Sequence, residues 1–197
     1  MMNISTPSGP SCHEHLLSGE AVRQQLASLA DNQILKLLYA EHVVILKTLD
    51  RLEDEARAVR RSGTKPLDAE QLSRLGALAT ALLDAEPHHQ REEAVLFPEL
   101  EGRGIYGPPH VMRAEHVELR QLKHELHDFS TGKKSAPNDR VAAVAEAIVA
   151  NLRMHIHKEN EILYPMAYDT IKQPGDWDRL TAASDRVGPC AFMPQKS

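Results

Sequence analysis

Apolar residues recur at three- and four-residue steps along most of the chain, and no Asn-Gly hairpin or alternating strand pattern competes with them. Leu35, Leu38, His42, Ile45, Leu49 and Leu52 form one such stripe, with a histidine set inside it. Gly63 and Pro66 end that first helix, and Asp68 with Gln71 has the spacing of a capping box for the next. The second helix is expected from about Asp68 to Glu101. Its seam is Leu78, Ala81, Ala85, His88, Glu92 and Val95, with a kink at Pro87, which lacks a backbone donor. Gly102, Gly104 and Gly107 stop it, and Pro108-Pro109 start a third helix whose seam is Met112, His116, Leu119, Leu122 and Leu126. After a loop from Ser130 to Pro137, a fourth helix from about Asn138 to Lys172 carries Val141, Val144, Ile148, Leu152, His155, Glu159, Ile162 and Met166.

Four amphipathic helices with short connections predict an all-α fold, an antiparallel up-down-up-down four-helix bundle over residues 31–172. Residues 1–30 read as a tail with a short helix from Glu20 to Ala30. Residues 173–197 read as a short helix and tail, with Trp177 and Leu180 packing that helix onto the bundle.

The stripes contain a duplication. His88-His89-Gln90-Arg91-Glu92 and His155-Ile156-His157-Lys158-Glu159 each lead into an apolar-aromatic-proline ending, at Pro98 and Pro165. Upstream of each lies an Ala-Glu-His-Val segment, around His42 and His116. Spacing alone leaves four His/Glu pairs open, because His89/Glu93 and His157/Glu161 are also four apart. Aligning the two endings leaves one frame with a pair in both halves, His88/Glu92 and His155/Glu159. His89, Glu93, His157 and Glu161 are then expected to face solvent.

Residues i and i+4 rise about 6 Å along a helix and share a face, so a His and a Glu so placed can meet at one centre. A lone His42 would read as an ordinary core histidine. Six polar groups on four facing seams do not, since each unpaired buried carboxylate would cost several kcal/mol. A cation removes that cost, and the candidate metal ligands are His42, His88, Glu92, His116, His155 and Glu159. Mixed imidazole and carboxylate donors without thiolate suit iron, manganese or zinc. Two bridging glutamates and four terminal histidines give about four protein bonds per ion for a pair of ions. An oxo- or hydroxo-bridged pair then keeps exchangeable positions for small ligands.

Composition narrows the setting. With 28 acidic and 23 basic residues, a net charge of -5 and no basic stripe, nucleic acid is not an expected partner. No run approaches the roughly 18 apolar residues of a membrane span, so no membrane partner is expected. Two cysteines, Cys12 and Cys190, form no disulfide framework, and the polar start lacks a signal peptide's apolar stretch. Both suit a cytoplasmic protein. Cys12-His13-Glu14-His15 reads as tail rather than as a surface metal site. Glu41 and Glu115, one residue before the isolated histidines and about 100° away from them, are expected to be solvated. So are His110, His124 and His127, while Tyr39 is expected to pack.

These motifs resemble the hemerythrin-like family, the His-His-Glu cation-binding domains, over roughly Asp31 to Lys172. The resemblance implies a non-haem diiron centre that binds oxygen or nitric oxide, with the same six residues as ligands. Oxygen-carrying hemerythrins place a second histidine one turn earlier on the third helix, where this chain has Met112, and end in His-x-x-x-x-Asp, where it has His155-x-x-x-Glu159. The four-His, two-Glu set is more similar to the bacterial iron-centre-repair and nitric-oxide-response diiron proteins. Those carry an N-terminal cysteine pair, of which this chain has Cys12 alone. The implied function is a diiron protein that binds or reacts with oxygen, nitric oxide or peroxide in stress protection. The alternatives are an iron or oxygen sensor and an iron-donor repair protein, acting through a redox or iron-acceptor protein partner.

Overall fold

The computed structural model describes Gln24, residues 33–173 and residues 175–193. The expected helix from Glu20 to Ala30 and the Cys12–His15 segment lie outside the described residues, apart from Gln24. Among the described residues every regular element is helical. In chain order these are α1 (Ile34–Ser62), α2 (Ala69–Leu83), α3 (Glu86–Arg91), π1 (Glu92–Leu96), α4 (Phe97–Glu101), α5 (Gly107–Ser130), α6 (Asn138–Lys158), π2 (Glu159–Leu163), α7 (Tyr164–Thr170) and α8 (Asp176–Val187). None of these helices is long and apolar enough to cross a membrane.

Local chemistry explains most boundaries. Gly63, at φ +57°, turns the chain out of α1 where an L side chain would be strained. Asp68 then accepts from the Gln71 amide at 2.7 Å, and the Gln71 side chain accepts from the Asp68 amide, closing a capping box at the start of α2. Pro108 and Pro109 occupy the first turn of α5, where the missing amide costs no helical bond.

The expected continuous second helix is not what forms. It breaks at Asp84–Ala85, and α3 restarts with Pro87 in its first turn. The fourth helix has no proline at the matching place and runs unbroken from Asn138 to Lys158. Both then widen into a π-turn that ends two residues before a proline, where the amides of Phe97 and Tyr164 bond back five residues to the Glu92 and Glu159 carbonyls. A proline ring clashes with the carbonyl four residues earlier, and the wider turn makes room for it. The extra residue also rotates the downstream face. Ile162, expected in the apolar stripe, is therefore 44% exposed, while Leu163 and Tyr164 take its place in the core.

α1 packs on α6 and α2, and α5 packs on α2 and α6, so four long segments enclose one interior. That interior is layered. Ile34, Leu35, Leu38, Leu96, Phe97, Leu100, Met112, Leu163 and Tyr164 fill one end. Leu49, Leu52, Ala56, Leu75, Leu82, Leu126, Val144 and Ile148 fill the other. α8 lies across the first layer through the buried Leu180, and Trp177 stacks on Tyr168 with centroids 6.5 Å apart. Between the layers lies a polar belt.

Candidate metal centre

The belt brings together His42 from α1, His88 from α3, Glu92 from π1, His116 from α5, His155 from α6 and Glu159 from π2. Each of the six is at most 2% exposed. Both carboxylates sit at the first residue of a π-turn, so the same local widening that seats Pro98 and Pro165 sets their direction.

The imidazoles form two pairs. The Nε2 atoms of His42 and His88 lie 2.9 Å apart, and those of His116 and His155 lie 3.0 Å apart. Glu159 spans both pairs, with Oε2 at 3.1 Å from His42 Nε2 and Oε1 at 2.9 Å from His155 Nε2. Glu92 Oε2 faces both as well, 3.4 Å from His116 Nε2 and 3.7 Å from His88 Nε2.

The far edge of every ring is committed. His42 Nδ1 donates to Asn160 Oδ1 at 2.8 Å, and His88 Nδ1 to Glu41 Oε2 at 2.9 Å. His116 Nδ1 donates to Glu93 Oε1 at 2.7 Å, and His155 Nδ1 to Glu115 Oε2 at 2.8 Å. A neutral imidazole has one proton, so a ring that donates through Nδ1 presents a lone pair at Nε2. With all four rings neutral, the centre of the belt is a meeting of acceptors. Glu92 Oε2 and both oxygens of Glu159 are buried without a hydrogen-bond partner among the described residues. Such a cluster is stable only with positive charge between its members. Taking the protein groups alone, burial lowers His116, yet the carboxylates of Glu159, Glu92 and Glu93 outweigh it and push it up to about 11. Burial raises Glu159, but His155, His116 and His42 hold it well below the usual carboxylate range. The donor set fits a cation. Buried groups of His42, His88 and Glu159, and of Glu92, His116, His155 and Glu159, each have ligand atoms within 4.8 Å of one another.

The supporting residues depart from the sequence expectations. Glu41 is fully buried and Glu115 holds His155, although both were expected in water. The 100° offset from His42 and His116 carries them into the crevice beside the next helix, where another imidazole's Nδ1 waits. Arg91, also fully buried, pairs with Glu41. Burial raises the Glu41 carboxyl, but His88 and Arg91 hold it at about 2. Lys158 pairs with Glu115 in the same way.

Glu93 is not free in solvent either, since it bonds His116 and Arg120. His89 is 4% exposed and stacks on His116 with centroids 3.8 Å apart, because the restart of the helix at Glu86 turns it inward. His157, by contrast, is exposed. His110 and His124 face water, and His127 is half-buried. Tyr39 packs on the first apolar layer. Cys190 is buried rather than part of a surface site, with its amide donating to Glu41 Oε1 at 3.3 Å.

Tyr164 was missed altogether. Its hydroxyl donates to Glu92 Oε1 at 2.9 Å and lies 3.4 Å from His42 Nε2. The repeated signals were present in the sequence. Glu precedes the isolated His in both halves, and an oxygen-bearing side chain follows the ligand Glu in both.

The hemerythrin HHE cation-binding domain family matches residues 33–167. The chain is also similar to the iron-sulfur cluster repair protein DnrN of Neisseria gonorrhoeae, 34% identical over 104 residues that make up 48% of this chain and 66% of that protein. With the iron-sulfur cluster repair protein YtfE of Musicola paradisiaca it shares 35% identity over 102 residues, 47% of this chain and 46% of the relative. The chain therefore spans about two thirds of one relative's length and under half of the other's.

Proposed function

The chain belongs to the hemerythrin HHE cation-binding domain family, and from that premise we propose a cytoplasmic non-haem diiron protein that binds or reacts with oxygen, nitric oxide or peroxide in stress protection. One observation carries the reading. Four Nε2 lone pairs and three unpartnered carboxylate oxygens converge while every Nδ1 proton is spent elsewhere. His42, His88, Glu92, His116, His155 and Glu159 are the proposed ligands, and Glu159, with one oxygen toward each pair, is the proposed bridge. An antiparallel up-down-up-down bundle is the proposed frame, supported by short connections and by the ring of contacts among the four long segments.

Two iron ions held there would supply open coordination positions and one-electron redox steps to a small ligand. The chain's own residues do the rest. Glu41, Asn160, Glu93 and Glu115 fix the tautomer and ring orientation of all four histidines. Tyr164 fixes Glu92 by taking one of its oxygens. Phe97, Leu38 and Leu163 close the belt against water on one side. A second reading, iron donation to a damaged iron–sulfur protein acting as partner, draws its support from the two repair-protein relatives.

Anaerobic purification, ferrous loading and metal analysis test the proposal. About two irons per chain are expected, with a visible absorption change when the reduced protein is titrated with nitric oxide. One tightly held zinc with no gain on iron loading overturns it.

A further inference from the structure

Resting on the diiron reading above, we propose that the two metal positions are unequal and fill in order, the His116–His155 pair before the His42–His88 pair, and that Glu93, Asn160 and His89 set the order. The duplication makes the comparison internal. Glu41 and Glu115 are equivalent and each backs an equivalent imidazole, His88 or His155. Phe97 stacks on His116 as Tyr164 stacks on His42. Apart from the Tyr164 hydroxyl, which reaches Glu92 and has no counterpart on Phe97, the symmetry fails at two places. Asn160 stands where the other half has Glu93, and Ile156 stands where the other half has His89.

Both failures favour the same pair. His116 donates to a carboxylate and His42 to a neutral amide oxygen, at nearly the same distance, 2.7 against 2.8 Å. A carboxylate behind an imidazole makes its other nitrogen the better donor to a cation, and removing such a partner costs about 10–100-fold in metal affinity. Both rings of the His116–His155 pair have this support, from Glu93 and Glu115. In the His42–His88 pair only His88 has it, from Glu41. Arg91 offsets Glu41 as Arg120 and Lys158 offset Glu93 and Glu115, so the basic partners do not cancel the difference.

His89 adds a third imidazole on the favoured side. Its ligand nitrogen lies within 4.8 Å of those of His116 and His155. Among the described residues its Nδ1 is buried without a hydrogen-bond partner, with Glu86 Oε2 at 3.7 Å. Ile156, in the matching place, is 2% exposed and offers no donor.

Anaerobic titration of the metal-free full chain with ferrous iron, followed by calorimetry, tests the order. Two phases separated at least tenfold in Kd are expected. His42→Ala should keep the tight phase and His116→Ala should abolish it. Glu93→Asn should weaken the tight phase about 10–100-fold, and His89→Ile should weaken it less. Asn160→Glu should strengthen the second phase. The exchange Glu93→Asn with Asn160→Glu should make His42, rather than His116, the residue whose loss abolishes tight binding. Melting curves of the metal-free variants separate misfolding from lost affinity. Two irons bound in one phase, or phases unmoved by the exchange in a folded variant, overturn the inference while leaving a diiron centre standing. Fewer than two irons in the parent protein overturns the diiron reading itself.

Discussion

The polar belt and the apolar layers on either side of it are built from the same four segments, yet they obey different rules. In the layer holding Leu49, Leu52 and Ile148, α-helical periodicity places the core residues. In the belt, every histidine's direction depends on a partner across the interior, and two of the four segments leave the α-helical path there. An apolar layer tolerates volume-conserving exchange because dispersion and burial have no direction. In the belt, a buried acceptor that loses its partner costs free energy, because desolvated polar groups depend on direction and charge balance.

The strongest way to break the contrast is Glu159→Ala. It removes the carboxylate that sets one oxygen against each imidazole pair, and bound metal should fall at least tenfold by elemental analysis. Retention of two ions per chain would remove Glu159 as bridge.

Leu52→Ala is the matched test in the apolar layer. It should cost 2–5 kcal/mol in denaturant unfolding, while the folded fraction keeps its full metal content. Metal loss in the folded fraction would show that the layers are not independent.

Acid sharpens the comparison. Glu41 is held at about 2 against an ordinary 4.5, so its contribution, roughly 3 kcal/mol, is complete above pH 4.5 and disappears as pH falls toward 2. Glu41→Gln should flatten that part of the stability profile, whereas Leu52→Ala should shift the whole profile without changing its slope. An unchanged acid limb in Glu41→Gln would contradict the buried Arg91–Glu41–His88 arrangement.

The smallest expected effects come from lysine and from surface histidine. Lys123 is 2% exposed with no ion-pair partner within 4 Å among the described residues, and burial lowers it to about 8. Its burial therefore costs stability at neutral pH and is relieved as pH rises from about 8 toward 10.5. Lys123→Met should stabilise by about 1–3 kcal/mol, with metal content unchanged. His157→Ala, at an exposed position, should stay within about 0.5 kcal/mol of the parent.

Much of this was legible without coordinates because it depends on period and offset. The stripe of α1, the capping box at Asp68 and the convergence of six seam residues follow from i, i+3 and i+4 spacing, which holds wherever the helix stays α-helical. The displacement of Ile162 by Leu163 was not legible, because one inserted residue in a π-turn shifts every later position by about 100°. The burial of His89, Glu41 and Glu115 was not legible either. Periodicity tells which way a side chain leaves its own helix, but not whether water or another imidazole waits there.

The sequence by itself determined an all-helical chain with two copies of one His-x-x-x-Glu motif, since helix period and duplication are properties of the order of residues. Only the tertiary structure decided which atoms stand behind those histidines. Glu41, Glu93, Glu115 and Asn160 acquire their roles from helices brought side by side, and a hydrogen bond between residues dozens of positions apart leaves no periodic trace in either segment.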